Sequence, residues 1–273
     1  MLKTRVMTGA VLSVIIATVL IFSHIPWVLN VAVVALCMQA IYELYNATDL
    51  KGYKWLYWLS YAVAIILSFV TLPHYAYIIT PLLVLTIIIF IELFVKVKEQ
   101  KRVSPMLSIF LATIFIFFFK TMSYLRQLEG GIYLLGGAVL ISVITDIGAY
   151  FVGKGVGKHK LAPDISPKKT IEGSIGGTLI ATATLTIIAI ILQSCGLFKI
   201  NIGLTILYLV LASMVGQFGD LALSSIKRIV GIKDYGNLLP GHGGVLDRFD
   251  SMMFVFPFTY LFYILGGNII TIV

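Results

Sequence analysis

The chain has 273 residues, 59% of them hydrophobic, and a mean hydropathy of +1.02. That is too apolar for a soluble globular domain and sets the class as a polytopic membrane protein. The net charge of +8 comes from a chain with only 12% charged residues, and its placement points to membrane topology and contact with anionic lipid, not to nucleic acid.

Nine apolar stretches are candidate membrane-crossing helices: residues 6–22, 28–47, 55–72, 78–95, 106–119, 133–152, 171–193, 202–224 and 251–266. Runs of about 17 to 25 apolar residues can cross the hydrocarbon core as helices; the fifth stretch is short. The predicted fold is therefore all-α, with about nine transmembrane helices and a cytoplasmic N-terminus. In that orientation 17 of the 20 Lys and Arg face the cytoplasm, and Lys120, Arg126 and Lys199 fall on the other side. This is the bias of the positive-inside rule, which one missed or invented helix would scramble.

Lys3 and Arg5 precede the first run, but it ends in Phe22-Ser23-His24-Ile25-Pro26 without a small-residue cleavage site, so it is read as a retained helix. Cys37 and Cys195 imply neither a disulfide framework nor a zinc site. Up to about residue 130 the chain reads as helical scaffold, with no internal repeat of the kind that builds transporters from inverted halves. Glu92 has Lys96 four residues on and reads as an interfacial ion pair. Glu43 has no such partner and defaults to helix packing.

The C-terminal portion is taken as residues 131–273, and from Asp146 onward its polar residues gather on one side. Two loops, about 153–171 and 225–250, are both cytoplasmic in this topology and rich in Gly, Lys and acids, so the C-terminal half is expected to carry the site. Gly173 and Gly177 form a small-xxx-small pair that favours close helix packing. Adjacent lysines, Lys168 and Lys169, sit at the start of the seventh helix, where phosphate charge suits the helix dipole; headgroup anchoring is the bland alternative. Asp220 lies in Gly-Gln-Phe-Gly-Asp near the inner end of the eighth helix, with Ser224, Lys227 and Arg228 following on one face.

Asp247 and Asp250 are three apart at the start of the ninth helix. Capping explains one such Asp. Two, with Arg248 between them and His242-Gly243-Gly244 upstream, fit a metal–phosphate centre better, because Mg²⁺ takes carboxylate, water and phosphate oxygens. Asp220 and Asp247 are expected to share that centre, with Asp250 as third ligand or partner of a metal-bound water and Asp146 as a further candidate ligand. Lys227 and Arg248 are expected to contact phosphate, and His242 to bind phosphate or shape the glycine turn. Gly148 to Lys154 has the outline of a phosphate loop, but Gly155 stands where Ser or Thr is required and the run lies in a hydrophobic helix.

Ser225, Lys227-Arg228, Lys233-Asp234, Gly236, Pro240, His242-Gly243-Gly244, Asp247-Arg248 and Asp250 resemble the signature of the phosphatidate cytidylyltransferase (CDP-diacylglycerol synthase) family. The segment from Gly157 to Pro163 and the run Ser166-Pro167-Lys168-Lys169-Thr170-Ile171-Glu172-Gly173 match a second stretch typical of that family; Ile147, after Asp146, departs from its usual hydroxyl residue. The resemblance implies that phosphatidic acid attacks the α-phosphorus of CTP at the cytoplasmic face of the cell membrane, with Mg²⁺ and a possible second metal ion, in a homodimer. It also implies substrate contacts from Ser166, Arg228, Gly243 and Gly244. Two other readings stay open: a CTP-dependent polyprenol or lipid kinase, and, from another class, a cation-coupled transporter with Asp146 and Asp220 as its ion site.

Overall fold

The apolar runs fold as helices in the predicted order. The computed structural model describes residues 2–48, 50, 52–266 and 269–271. Its helices are α1 (Leu2–Ile21), α2 (Pro26–Ala47), α3 (Lys54–Phe69), α4 (Tyr75–Lys96), α5 (Pro105–Gln127), α6 (Gly131–Val156), α7 (Ile171–Ser194), α8 (Ile202–Ile229) and α9 (Leu246–Ile264). Between them lie short strands β1 (Lys160–Ala162), β2 (Ser166–Thr170), β3 (Lys199–Ile200) and β4 (Ile270–Thr271).

The chain is a polytopic membrane protein: among the described residues, all helices except α3 and α9 are long and apolar enough to cross a membrane. Helix α3 is apolar but has 16 residues, and α9 opens with Asp247, Arg248 and Asp250. Of the charges used to orient the chain, Lys51 lies outside the described residues, as do the side chains of Lys3 and Arg5.

Helix α5 departs most from the hydropathy reading, running on to Gln127 instead of ending at 119. The cause is Lys120, a residue 3% exposed whose ammonium donates to the carbonyl of Ser68 at 3.3 Å. Ser68 sits in the last turn of α3, where carbonyls lack helical partners, so α5 can carry a lysine inward by satisfying one. The Tyr75 hydroxyl at the start of α4 pins the same stretch, donating to the Phe117 carbonyl and lying 3.1 Å from Thr121 Oγ1.

The chain groups into two compact units, Met1–Ser123 with Ala222–Asp250, and Tyr124–Leu221 with Ser251–Val273. The core of the first centres on α2, where Val33, Cys37, Ala40, Ile41, Leu44 and Tyr45 are fully buried. Polar pins within it join Tyr45 to Ser60 and Ser123 to Asn30, each at 2.8 Å.

The second unit is built on the close approach of α6 and α7. A Cβ added at Gly173 would lie 2.7 Å from the Ala149 carbonyl, and one at Gly177 would lie 2.6 Å from that of Thr145, so the small-xxx-small pair does pack helices. An antiparallel hairpin, β1 with β2, precedes α7, pairing Lys160 with Thr170 and Ala162 with Ser166. Strands β3 and β4 pair at Lys199 and Thr271.

Candidate active site

In the second unit, residues of α6, β1, β2, α7 and α8 surround an open cavity of about 400 Å³. Helix α6 presents Asp146, Ala149, Tyr150, Gly153 and Lys154, positions that recur on one face of a helix. Strand β2 adds Lys168 and Lys169, and α8 adds Gln217 and, one turn on, Asp220. The lysines thus sit on an extended strand just before α7, whose first residue is Ile171, and not in the helix itself.

That junction is fixed locally. Thr170 caps α7, its hydroxyl accepting the Gly173 amide at 3.1 Å. Glu172 accepts the amides of Lys158 at 3.1 Å and His159 at 3.2 Å, and its carboxylate lies 2.5 Å from His159 Nδ1. The helix start therefore ties down the chain entering β1.

Within the cavity Lys169 forms an ion pair with Asp220, and the two side chains keep 26% and 21% of their surface exposed. Below them Gln217 Nε2 donates to Thr178 Oγ1 at 2.9 Å and reaches the Ser174 carbonyl and Ser213 Oγ at 3.4 Å. Ser213 lies 2.9 Å from Thr145 Oγ1 and 3.0 Å from Thr178 Oγ1, which extends this network to residues that do not themselves line the cavity. Asp146, Lys168, Lys169 and Asp220 are brought together here; Ser166 is in the hairpin but does not line the cavity.

In the first unit, the segment from Lys227 to Asp250 is organised by buried carboxylates. Asp247, 9% exposed, accepts Lys227 Nζ at 2.8 Å, the Tyr235 amide at 2.8 Å and the Gly244 amide at 2.9 Å. Gly243 adopts a φ of +87°, and a Cβ there would lie 2.8 Å from Asp247 Oδ2. The Gly243-Gly244 pair thus admits a carboxylate, and the Gly244 amide is spent on it. Arg248 Nε donates to the His242 carbonyl at 2.8 Å, closing the turn, while Arg228 at the exposed end of α8 reaches the Ile232 carbonyl at 3.3 Å. The Tyr235 hydroxyl donates to the Leu223 carbonyl at 2.8 Å; burial, with the charges of Asp247, Asp250 and Glu43, pushes its pKa well up, so it stays a donor.

A profile described as the cytidylyltransferase family matches residues 3–265. The chain belongs to the cytidylyltransferase family. It is similar to the phosphatidate cytidylyltransferase of Bacillus subtilis (strain 168), 34% identical over 269 residues that cover 95% of this chain and 96% of that one. It is also similar to the phosphatidate cytidylyltransferases of Staphylococcus epidermidis (strain RP62A) and Staphylococcus aureus (strain COL). Each is 48% identical over 143 residues, 52% of this chain and 51% of the relative.

Among the described residues no group of three or more His, Cys, Asp or Glu is placed to hold a metal ion. Mg²⁺ commonly needs fewer, taking one or two protein carboxylates with waters and substrate phosphates. Asp146 on α6 and Asp220 on α8 both line the cavity and supply that number of carboxylates. Asp247 has both oxygens engaged by three donors, and Asp250 lies half-buried on α9.

Two residues to which the sequence reading gave no role in a site belong to these regions. Gln217 was signalled by its spacing of three from Asp220 on α8. Glu43, left to helix packing, accepts the amides of Val245 at 2.9 Å and Leu246 at 2.8 Å and thereby caps α9. Its partners lie 202 and 203 residues away, and no local pattern announces them.

Proposed function

We propose that this chain makes CDP-diacylglycerol from CTP and phosphatidate, and that the cavity of Asp146, Lys168, Lys169 and Asp220 holds the nucleotide's phosphates. An oxygen of the lipid phosphate forms a bond to the α-phosphorus of CTP as the bond to the β-phosphate oxygen breaks, and pyrophosphate leaves. The observation that carries the activity is similarity to a phosphatidate cytidylyltransferase along nearly the whole of both chains.

The attacking phosphate monoester is largely ionised near neutral pH, its second pKa being about 6, so no general base is needed. The difficulty is bringing two anions together, which makes positioning and charge neutralisation the main tasks. Lys169 is held by Asp220 in a pair open enough to exchange its carboxylate for phosphate, and Lys168 lines the same cavity. Bound Mg²⁺ supplies further charge neutralisation on the phosphates, with Asp146 and Asp220 as the protein carboxylates suited to hold it. Asp247, Lys227 and Arg248 hold the signature turn in shape. The site opens to the cytoplasm in this reading, which the excess of Lys and Arg expected on that side supports. The homodimer implied by the family resemblance belongs to the same proposal.

The test is an assay of purified protein with CTP, phosphatidic acid and Mg²⁺. Pyrophosphate and a cytidine-linked lipid are expected in equal amounts. CDP with a newly phosphorylated lipid would favour the kinase reading, and cation flux without nucleotide turnover would favour the transporter.

A further inference from the structure

We propose that Glu43 is a positioning residue for this reaction, its carboxylate fixing from α2 the turn that carries His242, Asp247 and Arg248. The inference rests on the cytidylyltransferase reading above.

The turn entering α9 presents three successive amides, those of Gly244, Val245 and Leu246. Such amides at a helix start lack helical acceptors and, with the helix dipole, form a concavity suited to an anion. Here the chain's own carboxylates fill it. Asp247 takes the Gly244 amide, while Glu43 takes the other two through separate oxygens. Val245, just before α9, has no side chain able to cap it, so the acceptor normally found at that position is delivered from another helix.

The fit around Glu43 is tight. The residue is 1% exposed, and Gln39, one turn earlier on α2, donates to its Oε1 at 2.8 Å. A Cβ at Gly244 would overlap the Glu43 carboxylate, and one at Gly236 would lie 2.9 Å from Oε1. Two glycines of the signature thus leave room for this one side chain. Losing it frees the turn at its middle, between the Arg248–His242 link and the Asp247–Lys227 pair.

Purified Glu43→Gln tests the idea. Glutamine keeps the length but turns an NH₂ towards one of the two amides, setting donor against donor. On the reading that His242 of this turn contacts phosphate, its Nδ1 being buried without a hydrogen-bond partner among the described residues, a displacement of about 1 Å there costs on the order of 10² in rate, so kcat is expected to fall about that far. The KM for CTP is expected to stay within about threefold, the pattern of an interaction that acts on the transition state. Gln39→Leu leaves Glu43 in place without one support; its kcat is expected to fall about fivefold, the scale of one hydrogen bond.

A purely structural cap would instead lower the thermal midpoint and leave kcat per folded molecule unchanged. That result in both variants overturns the inference, as does a raised KM with kcat retained. If Glu43→Gln is not recovered folded, Gln39→Leu decides, and a wild-type kcat there overturns it. Wild-type protein is assayed alongside. A dead wild type overturns the activity and the inference together, whereas an active wild type beside unaltered variants overturns the inference alone.

Discussion

The two polar regions use acid–base pairs of opposite character. In the cavity of the second unit, Lys169 and Asp220 meet with about a quarter of each side chain open, whereas in the first unit Lys227 and Asp247 keep 10% and 3%. An open pair contributes little to stability and gives up its partner easily. A buried pair costs several kcal/mol to break, because it strands a charge away from water. The cavity pair is thus the easier of the two to open, and the pair in the signature turn the harder.

The widest separation between the two regions is expected at their acids. Asp220→Asn and Asp146→Asn should each cut turnover on the order of 10³, the upper range for losing a preorganised charge contact, with the thermal midpoint unchanged. If both hold one phosphate-bound ion, the double variant should lose little beyond either single one, since groups acting as a unit are non-additive. Turnover measured against Mg²⁺ concentration checks this. Wild-type turnover with an unshifted metal curve would break the assignment.

Asp247→Asn should behave differently. It leaves Lys227 buried without its carboxylate, and breaking such a pair costs about 3–5 kcal/mol, so the protein is expected to lose thermal stability in detergent along with activity. Loss of activity at full stability would instead put Asp247 in direct contact with the reacting phosphates. Lys169→Gln comes next, with a turnover loss on the order of 10² and a raised KM for CTP in a stable protein. Unchanged CTP dependence would return the lysine to headgroup anchoring.

Helix order was legible because hydropathy along a membrane chain reports burial in lipid, a one-dimensional property. It failed at α5, where Lys120 is polar by composition but satisfied by the open end of α3. The cavity acids and lysines were legible because costly charges next to apolar runs stand out in sequence. The partners of the signature acids were not: Asp247 accepts three donors that come from a helix, a turn and a loop. Glu43 was illegible for the same reason in stronger form. The hairpin escaped notice because its strands have three and five residues and are mostly charged or polar, too short for a periodic signal.

The finest test of the comparison lies at the rim of the cavity. Glu172 anchors the hairpin as Glu43 anchors the signature turn, accepting the amides of Lys158 and His159, yet 26% of its side chain is exposed. Water can replace what it provides, so an exposed anchor should matter far less than a buried one of the same chemistry. Glu172→Gln is expected to raise the KM for CTP by about threefold, the scale of one exposed hydrogen bond, with kcat and thermal stability close to wild type. Steady-state kinetics over a CTP series measures it. A loss of kcat as large as that expected for Glu43→Gln would show that burial is not what separates the two anchors, and that the hairpin too must be held rigid for the transfer step.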